Sequence, residues 1–328
     1  MHVKVLVTGA TGFIGQEVAR QLAVRGLRPR LLVRRPSRGE LIAGLDAELV
    51  QGDLRAPDSL RRAVRGCDAV IHLGGRAVFE PASRLVDTFV HGTRSLAEAA
   101  AAEDVGRFVF ASSLLVHGDS ASPITEHTPP APEVDYGRVK WLVERRLAAF
   151  GARTGMTVGS VRLPHVYGAT DLLFERVRRG MVVVPGRNAP PYGHLHVHDA
   201  ARVLIAAAET GWSGASAVAD EASVGWDAFL GHIATLLPDI TVIRVPEVLA
   251  RTGTEVLGAL AMLRERPNLF TPDTVISWNL SLPVDPDALW PQLGIRPDLP
   301  TFREGIARTL DDCIAFRWRH PVADHRVA

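Results

Sequence analysis

The most chemically pointed spacing in this chain is Tyr136-Gly137-Arg138-Val139-Lys140, a phenol and an ammonium four residues apart. On a helix that interval is about one turn and puts both groups on one face. A phenol near pKa ~10 is a poor base at neutral pH, but an adjacent cation together with a bound oxidised cofactor favours the phenolate and draws the pKa towards a useful range. Such a group can exchange a proton with an alcohol or a carbonyl oxygen as charge develops there. Ser113, ending the apolar run Phe108-Val109-Phe110-Ala111-Ser112-Ser113, can hydrogen-bond the same oxygen and fix its position. Lys140 is one of only two lysines, with Lys4, among 37 basic residues, which argues for a chemical requirement at that position. Arginine offers neither an exchangeable proton nor a compact ammonium.

These groups need a partner that carries electrons, and the N-terminus offers a site for one. Thr8-Gly9-Ala10-Thr11-Gly12-Phe13-Ile14-Gly15 follows the apolar run Val3 to Val7 and opens a segment with helical apolar spacing. A strand, a glycine turn and a helix in that order hold a dinucleotide pyrophosphate on the amides and positive dipole end of the helix. Gly9 permits the turn, Gly12 the close phosphate approach, and Gly15 the packing of helix on strand. The spacing is G-x-x-G-x-x-G, and an ordinary strand-to-helix turn is the lesser alternative for it. At the end of the second strand stands Val33-Arg34-Arg35-Pro36-Ser37-Arg38, with no acid for a ribose 2′-hydroxyl. Arg34 is placed to pair with a 2′-phosphate, helped by Arg35, Ser37 or Arg38. NADP(H) is therefore favoured, with NAD(H) still open, and a solvated basic loop is the bland alternative. Asp53 and Leu54 follow the third strand, where the carboxylate can accept from an adenine amino group. Leu73-Gly74-Gly75 ends the fourth and leaves room beside the adenosine.

Stepping through the periodicities, strands at 3–7, 28–34, 47–52, 69–73, 108–111 and 157–163 alternate with helices at 13–25, 58–65, 83–103 and 136–150, with a weak helical signal at 38–44. This alternation predicts an α/β fold, a Rossmann doubly wound parallel sheet with a smaller C-terminal substrate-binding lobe. We divide the chain into 1–168 plus 196–215 for the NAD(P)-binding domain and 169–195 plus 216–315 for the lobe, with 316–328 a frayed tail.

A formal net charge of +1 predicts no nucleic-acid partner. No apolar run approaches the ~20 residues of a membrane span, and the N-terminus lacks signal-peptide character. Two cysteines make no disulfide framework, so a cytoplasmic protein acting on a small-molecule substrate is expected. His194, His196 and His198 alternate as if on one face of a strand, but no cysteine or acidic cluster completes a metal set, and none is expected.

Taken together these residues resemble the extended short-chain dehydrogenase/reductases, or NAD-dependent epimerase/dehydratase family. The similarity covers Thr8 to Gly15, Gly52-Asp53-Leu54, His72-Leu73-Gly74-Gly75, Gly92-Thr93, Ser112 to Gly118, Tyr136 to Lys140, Arg162 to Gly168 and His196 to Ala201. The resemblance implies a Ser113–Tyr136–Lys140 site with Tyr136 as acid/base and Lys140 on the nicotinamide ribose. It also implies Pro164, His165 and Val166 along the nicotinamide, and a homodimer through the helices at 83–103 and 136–150. His117 stands where the family often has Tyr, and Phe89 where it often has Asn. Sugar-nucleotide members carry an arginine before the strand at 194–198, and here only Arg187 is available. The stretches Val245 to Leu263, Leu269 to Val275 and Leu293 to Pro297 look more like the 3β-hydroxysteroid dehydrogenase/dihydroflavonol reductase branch. The expectation is an NADPH-dependent carbonyl reductase or alcohol dehydrogenase on an apolar or aromatic ketone, with His117, His165 and Arg187 as substrate contacts. The alternatives are an NDP-sugar epimerase or dehydratase with retained cofactor and, since Tyr136 and Lys140 are both present, more remotely a non-catalytic dinucleotide-binding regulator.

Overall fold

The computed structural model describes residues 3–35, 39, 42–75, 79, 82–186, 190–254 and 271–315. Arg187, Ser37, Arg38 and the tail at 316–328 lie outside the described residues, as does the whole of 255–270. Seven parallel strands form the central sheet in the order β10-β6-β5-β4-β1-β2-β3. These are β1 (Val5–Thr8), β2 (Arg30–Val33), β3 (Glu48–Gln51), β4 (Ala69–His72), β5 (Arg107–Ser113), β6 (Thr157–Leu163) and β10 (Gly214–Ala217). Chain order reverses between β1 and β4, which opens a crevice at the carboxyl ends of the strands, where such sheets bind ligands. β1, β2 and β4 are buried at every residue, as parallel strands covered on both faces must be.

Helices α1 (Phe13–Val24) and α7 (Val197–Thr210) cover one face, with Val18, Leu22, Leu204 and Trp290 in the core between them and the sheet. On the other face, α2 (Pro57–Val64), α4 (Gly92–Ala102) and α5 (Asp135–Thr154) bury Leu60, Leu96, Val143 and Leu147 against Phe108 and Phe110. A third core gathers Leu114, Tyr167, Phe174, Tyr192, Trp226, Phe229 and Ile306 from beyond the strand ends. It draws on β7 (His165–Tyr167), α6 (Leu172–Arg178), β8 (Met181–Pro185), β9 (His194–His196), α8 (Trp226–Leu236), β11 (Thr241–Val245) and the helices Pro272–Asn279 and Phe302–Ala315. Tyr136 packs against both this core and the one beneath α5.

Two local expectations change. The helix expected over 83–103 is broken into α3 (Ala82–Val86), a π-helical turn Asp87–His91, and α4. Such turns insert a residue and swing the following side chains, here at Phe89. The second change concerns the alternating histidines. β9 stops at His196 and α7 starts at Val197, so His198 leaves the strand face and sits in the first helical turn. There it bonds Glu17 at 3.3 Å and Asp298 at 2.9 Å, while Arg202 pairs with Asp199 at 2.7 Å and Asp298 at 3.1 Å. His198, Asp199 and Asp298 lie close enough to hold a cation, but Arg202 already supplies one to both carboxylates. The group stitches α1 to α7 and the loop at 296–299. Despite burial, hydrogen bonds from His198, Arg20 and Gln21 hold the Glu17 carboxyl at about 2, and Glu17 in turn raises His198 above its usual 6.5.

Candidate active site

Gly9 takes φ +71°, the left-handed region open to glycine, and a Cβ there would lie 2.6 Å from the Leu73 carbonyl oxygen. A Cβ on Gly15 would run into the Gly9 carbonyl, so helix and turn are in backbone contact. Gly12 is the N-cap of α1 in extended conformation, with no side chain capping the first turn and no acid within it. The amides at Phe13 and Ile14 therefore meet none of the capping groups that usually occupy a helix start. That is the donor set a pyrophosphate requires. Thr11, Phe13 and Ile14 are half-buried around it, and Phe13 rests against Gly168.

Arg34 and Arg35 are exposed just beyond β2. Neighbouring Asp53 is engaged by Arg55, through its amide at 3.0 Å and its guanidinium at 3.3 and 3.2 Å. Arg55, with Arg34 adding its field, holds the Asp53 carboxyl below the usual range. Leu73 and Gly74 are fixed from below. Gly74 N–H donates to Thr8 Oγ1 at 3.1 Å, and His72 bridges Thr8 (2.6 Å) and Thr93 (2.9 Å). Burial first, and the Lys140 charge second, lower His72 to about 3, so it is neutral in this relay. Gly75 faces the Phe89 ring, and Leu54 packs against Gly74 and Gly92.

Ser113 ends β5, and its Oγ accepts from Leu115 N–H at 3.2 Å, leaving its own proton to donate. The turn after it is pressed against α5, because a Cβ on Gly137 would collide with the Leu115 carbonyl oxygen. That contact sets Tyr136 beside the end of β5. Two further bonds anchor the start of α5. Asp135 N–H donates to Asp273 at 2.8 Å, and the Asp135 carboxylate accepts from Ala82 N–H at 3.0 Å. The Tyr136 ring meets Phe79 and Phe89 edge-on at 6.0 and 5.8 Å, while the residue is half-buried and its hydroxyl makes no hydrogen bond to the described residues.

Lys140 is 5 % exposed, donates to the Ala111 carbonyl at 2.6 Å, and lies 4.5 Å from the centroids of both Phe89 and Phe110. Burial lowers it to about 7, with Glu144 opposing, while burial raises the Tyr136 phenol above 10. The expected lowering calls for an oxidised nicotinamide as well as Lys140, and in the protein alone burial is what acts on the phenol. The ammonium lies over the Tyr136 ring, 5.5 Å from its centroid, and spends a proton on Ala111. In this geometry the phenol is a protonated donor at neutral pH.

One turn beyond Lys140, Glu144 pairs with Arg162 of β6 at 2.9 Å, both nearly inaccessible, and accepts a short bond from Ser112. Arg162 also reaches His117 Nε2 at 3.2 Å. His117 is thus buried beneath the site, and burial with the Arg162 charge lowers it to about 4. His165, half-buried just past β6, sits among Trp226, Tyr167 and Phe229, and its Nδ1 meets His194 Nδ1 at 3.0 Å. Pro164 and Val166 flank it, half-buried.

The model for the NAD-dependent epimerase/dehydratase family matches residues 5–218, about two thirds of the chain, taking in the glycine turn, Ser113, Tyr136, Lys140 and Arg162. The chain belongs to this family. A ceramide reductase of Caulobacter vibrioides is 30% identical over 275 residues, 81% of each protein. The 3β-hydroxysteroid dehydrogenase/Δ5→4-isomerase of Mycobacterium tuberculosis is 32% identical over 227 residues, 62% of this chain and 60% of its own. The fold is that of the Thermus thermophilus UDP-glucose 4-epimerase crystallised with NAD, at TM-score 0.76 and 22% identity over 95% of this chain and 99% of that one. As an epimerase/dehydratase family member the chain is of an enzyme class that works with a nicotinamide dinucleotide, and the uncapped turn at Gly12 fits its pyrophosphate. The groups that set the site without signalling themselves in the sequence are Arg55, Phe110, Glu144 and Asp273. Of these Glu144 alone left a trace, one helical turn from Lys140.

Proposed function

We propose that this epimerase/dehydratase family member is an NADPH-dependent carbonyl reductase or alcohol dehydrogenase acting on an apolar or aromatic ketone. The observation that carries this reading is the ring content around the site: Phe79 and Phe89 pack against Tyr136, and past the end of β6 His165 packs on Trp226, which stacks on Trp278 at 4.1 Å. Aromatic faces favour apolar surface over a diphosphate. The similarity to a ceramide reductase over four fifths of both chains supports the same choice. Gly9, Thr11, Gly12 and the amides of Phe13 and Ile14 would hold the pyrophosphate. Arg34 would hold the 2′-phosphate, Asp53 and Leu54 the adenine, Leu73 to Gly75 the adenosine, and Pro164 to Val166 the nicotinamide.

When bound, NADPH supplies hydride to the carbonyl carbon. Ser113 donates to the carbonyl oxygen and fixes it, and Tyr136 gives that oxygen its proton, so a ketone becomes an alcohol and a phenolate remains. The phenol's raised pKa keeps the proton in place until negative charge develops on the oxygen. Lys140, beneath the ring, then stabilises the phenolate until solvent returns the proton. A second reading, an NDP-sugar epimerase with retained cofactor, draws on the Streptomyces lividans UDP-glucose 4-epimerase, 32% identical over 178 residues. We place self-association on the groove between α4 and α5, of about 280 Å³ and lined by Val90, Thr93, Ala97, Val143, Leu147 and Phe150, which sedimentation of the purified chain tests.

Absorbance separates the two readings. A reductase consumes added NADPH when given an aromatic ketone and stops doing so as Tyr136→Phe, which still binds NADPH. Tightly retained cofactor, with UDP-glucose converted and no net NADPH consumed, overturns the proposal.

A further inference from the structure

His165 and His194 form a two-ring relay whose proton positions follow from what its ends touch. His194 Nε2 lies 3.0 Å from the Val224 carbonyl oxygen, which only accepts, so Nε2 carries the hydrogen. Burial keeps both rings well below 6.5, hence neutral, and His194 Nδ1 is then bare. Only His165 Nδ1–H can complete the 3.0 Å contact between the two Nδ1 atoms. Neutral imidazole holds one hydrogen, so His165 Nε2 is a lone-pair acceptor. It makes no hydrogen bond to the described residues, and His165 as a whole is half-buried. The ring is held edge-on to His194 and against Trp226 and Phe229, with centroids at 5.2, 4.7 and 5.6 Å. His165 stands two residues past Leu163, the register partner of Ser113, so the ring follows directly on the strand end beside Ser113.

We propose that His165 Nε2 reads a hydroxyl on the substrate, selecting ketones that carry a hydrogen-bond donor near the reacting carbonyl, with His194 as the positioning residue that fixes its tautomer. An ether or a bare alkyl group in that place leaves the acceptor unpaired inside an aromatic wall, which discriminates by roughly tenfold or more. The ketone selectivity rests on the reductase reading, whereas the acceptor state of His165 Nε2 rests on the histidine pair alone.

The test uses the NADPH-bound protein with 15N-labelled histidine, probed with 2-hydroxyacetophenone and with 2-methoxyacetophenone, which keeps the oxygen and loses the donor. The expected result is an Nδ1–H tautomer at His165 and an Nε2–H tautomer at His194. The His165 Nε2 resonance moves with the hydroxyketone and not with the methoxyketone. Wild type then shows a kcat/KM ratio of about ten or more for hydroxy over methoxy. His165→Phe, which keeps a ring in the wall, brings the ratio near one, and His194→Phe lets His165 populate both tautomers. An Nε2–H tautomer at His165, equal response to both probes, or a ratio unchanged in His165→Phe overturns the inference. If the resonance behaves as expected but neither ketone is reduced, the reductase reading fails and this one stands.

Discussion

Gly137→Ala offers a test in which helix propensity and packing predict opposite signs. Glycine inside a helix costs about 1 kcal/mol relative to alanine, so α5 should gain that much from the change. Position 137, however, touches the backbone of the turn after Ser113, and a methyl group there has no flexible side chain to displace. Either α5 lifts off the turn or the turn shifts, by an amount on the order of 1 Å. Overpacking of this kind costs about 1–3 kcal/mol, which cancels the propensity gain and leaves a net loss of up to about 2 kcal/mol. The same shift separates Tyr136 from the oxygen held by Ser113, and a misplacement near 1 Å costs about a hundredfold in turnover. Gly231 in α8 is the internal control, since a Cβ there meets nothing within 4 Å. Gly231→Ala should stabilise by about 0.5–1 kcal/mol and leave turnover unchanged. Denaturant midpoints and kcat for the two variants decide the matter. A Gly137→Ala protein as stable and as active as wild type refutes the contact between α5 and the Ser113 turn.

Three other outcomes follow from the same geometry. Arg34→Ala weakens NADPH by about tenfold or more while leaving NADH nearly unchanged, measured by fluorescence titration; equal weakening of both removes the 2′-phosphate assignment. His198 is raised in the folded protein, so its contribution is fully present below the unfolded value near 6.5 and is lost as pH rises through the higher folded one. The difference in denaturant midpoint between wild type and His198→Ala should therefore shrink from mildly acidic to alkaline pH, and a constant difference contradicts the ion-pair assignment. Arg162→Met leaves Glu144 buried without its cation and should cost about 3–5 kcal/mol, whereas Arg162→Met with Glu144→Leu recovers much of it in the same unfolding assay.

What was legible in the sequence was local. Apolar runs broken at Gly26 and at Leu73-Gly74-Gly75 announce strands and turns because both depend on neighbours in the chain, and the parallel sheet follows from their alternation. The Tyr136–Lys140 spacing places two groups on one helical face for the same reason. The spacing does not say where the ammonium points. That direction is set by the Ala111 carbonyl and by Phe89, twenty-nine and fifty-one residues away along the chain. Glu144, beside Arg145 and Arg146 in the sequence, looks like part of a solvated helix face, and only Arg162 and Ser112 across the sheet reveal it as buried. His198 leaves the strand face because the strand ends at His196, two residues short of it.

The tether between Asp135 and Asp273 has an evolutionary reading. The backbone N–H of Asp135, immediately before Tyr136, donates to Asp273 in the helix Pro272–Asn279, whose Ile276 and Trp278 pack on the core beyond the strand ends. On the proposed reading, substrate preference and acid placement are inherited together. A lineage that remodels this helix for a new substrate also re-aims Tyr136. Grafting a foreign lobe onto this sheet would transplant specificity only if the graft brings an acceptor for that amide.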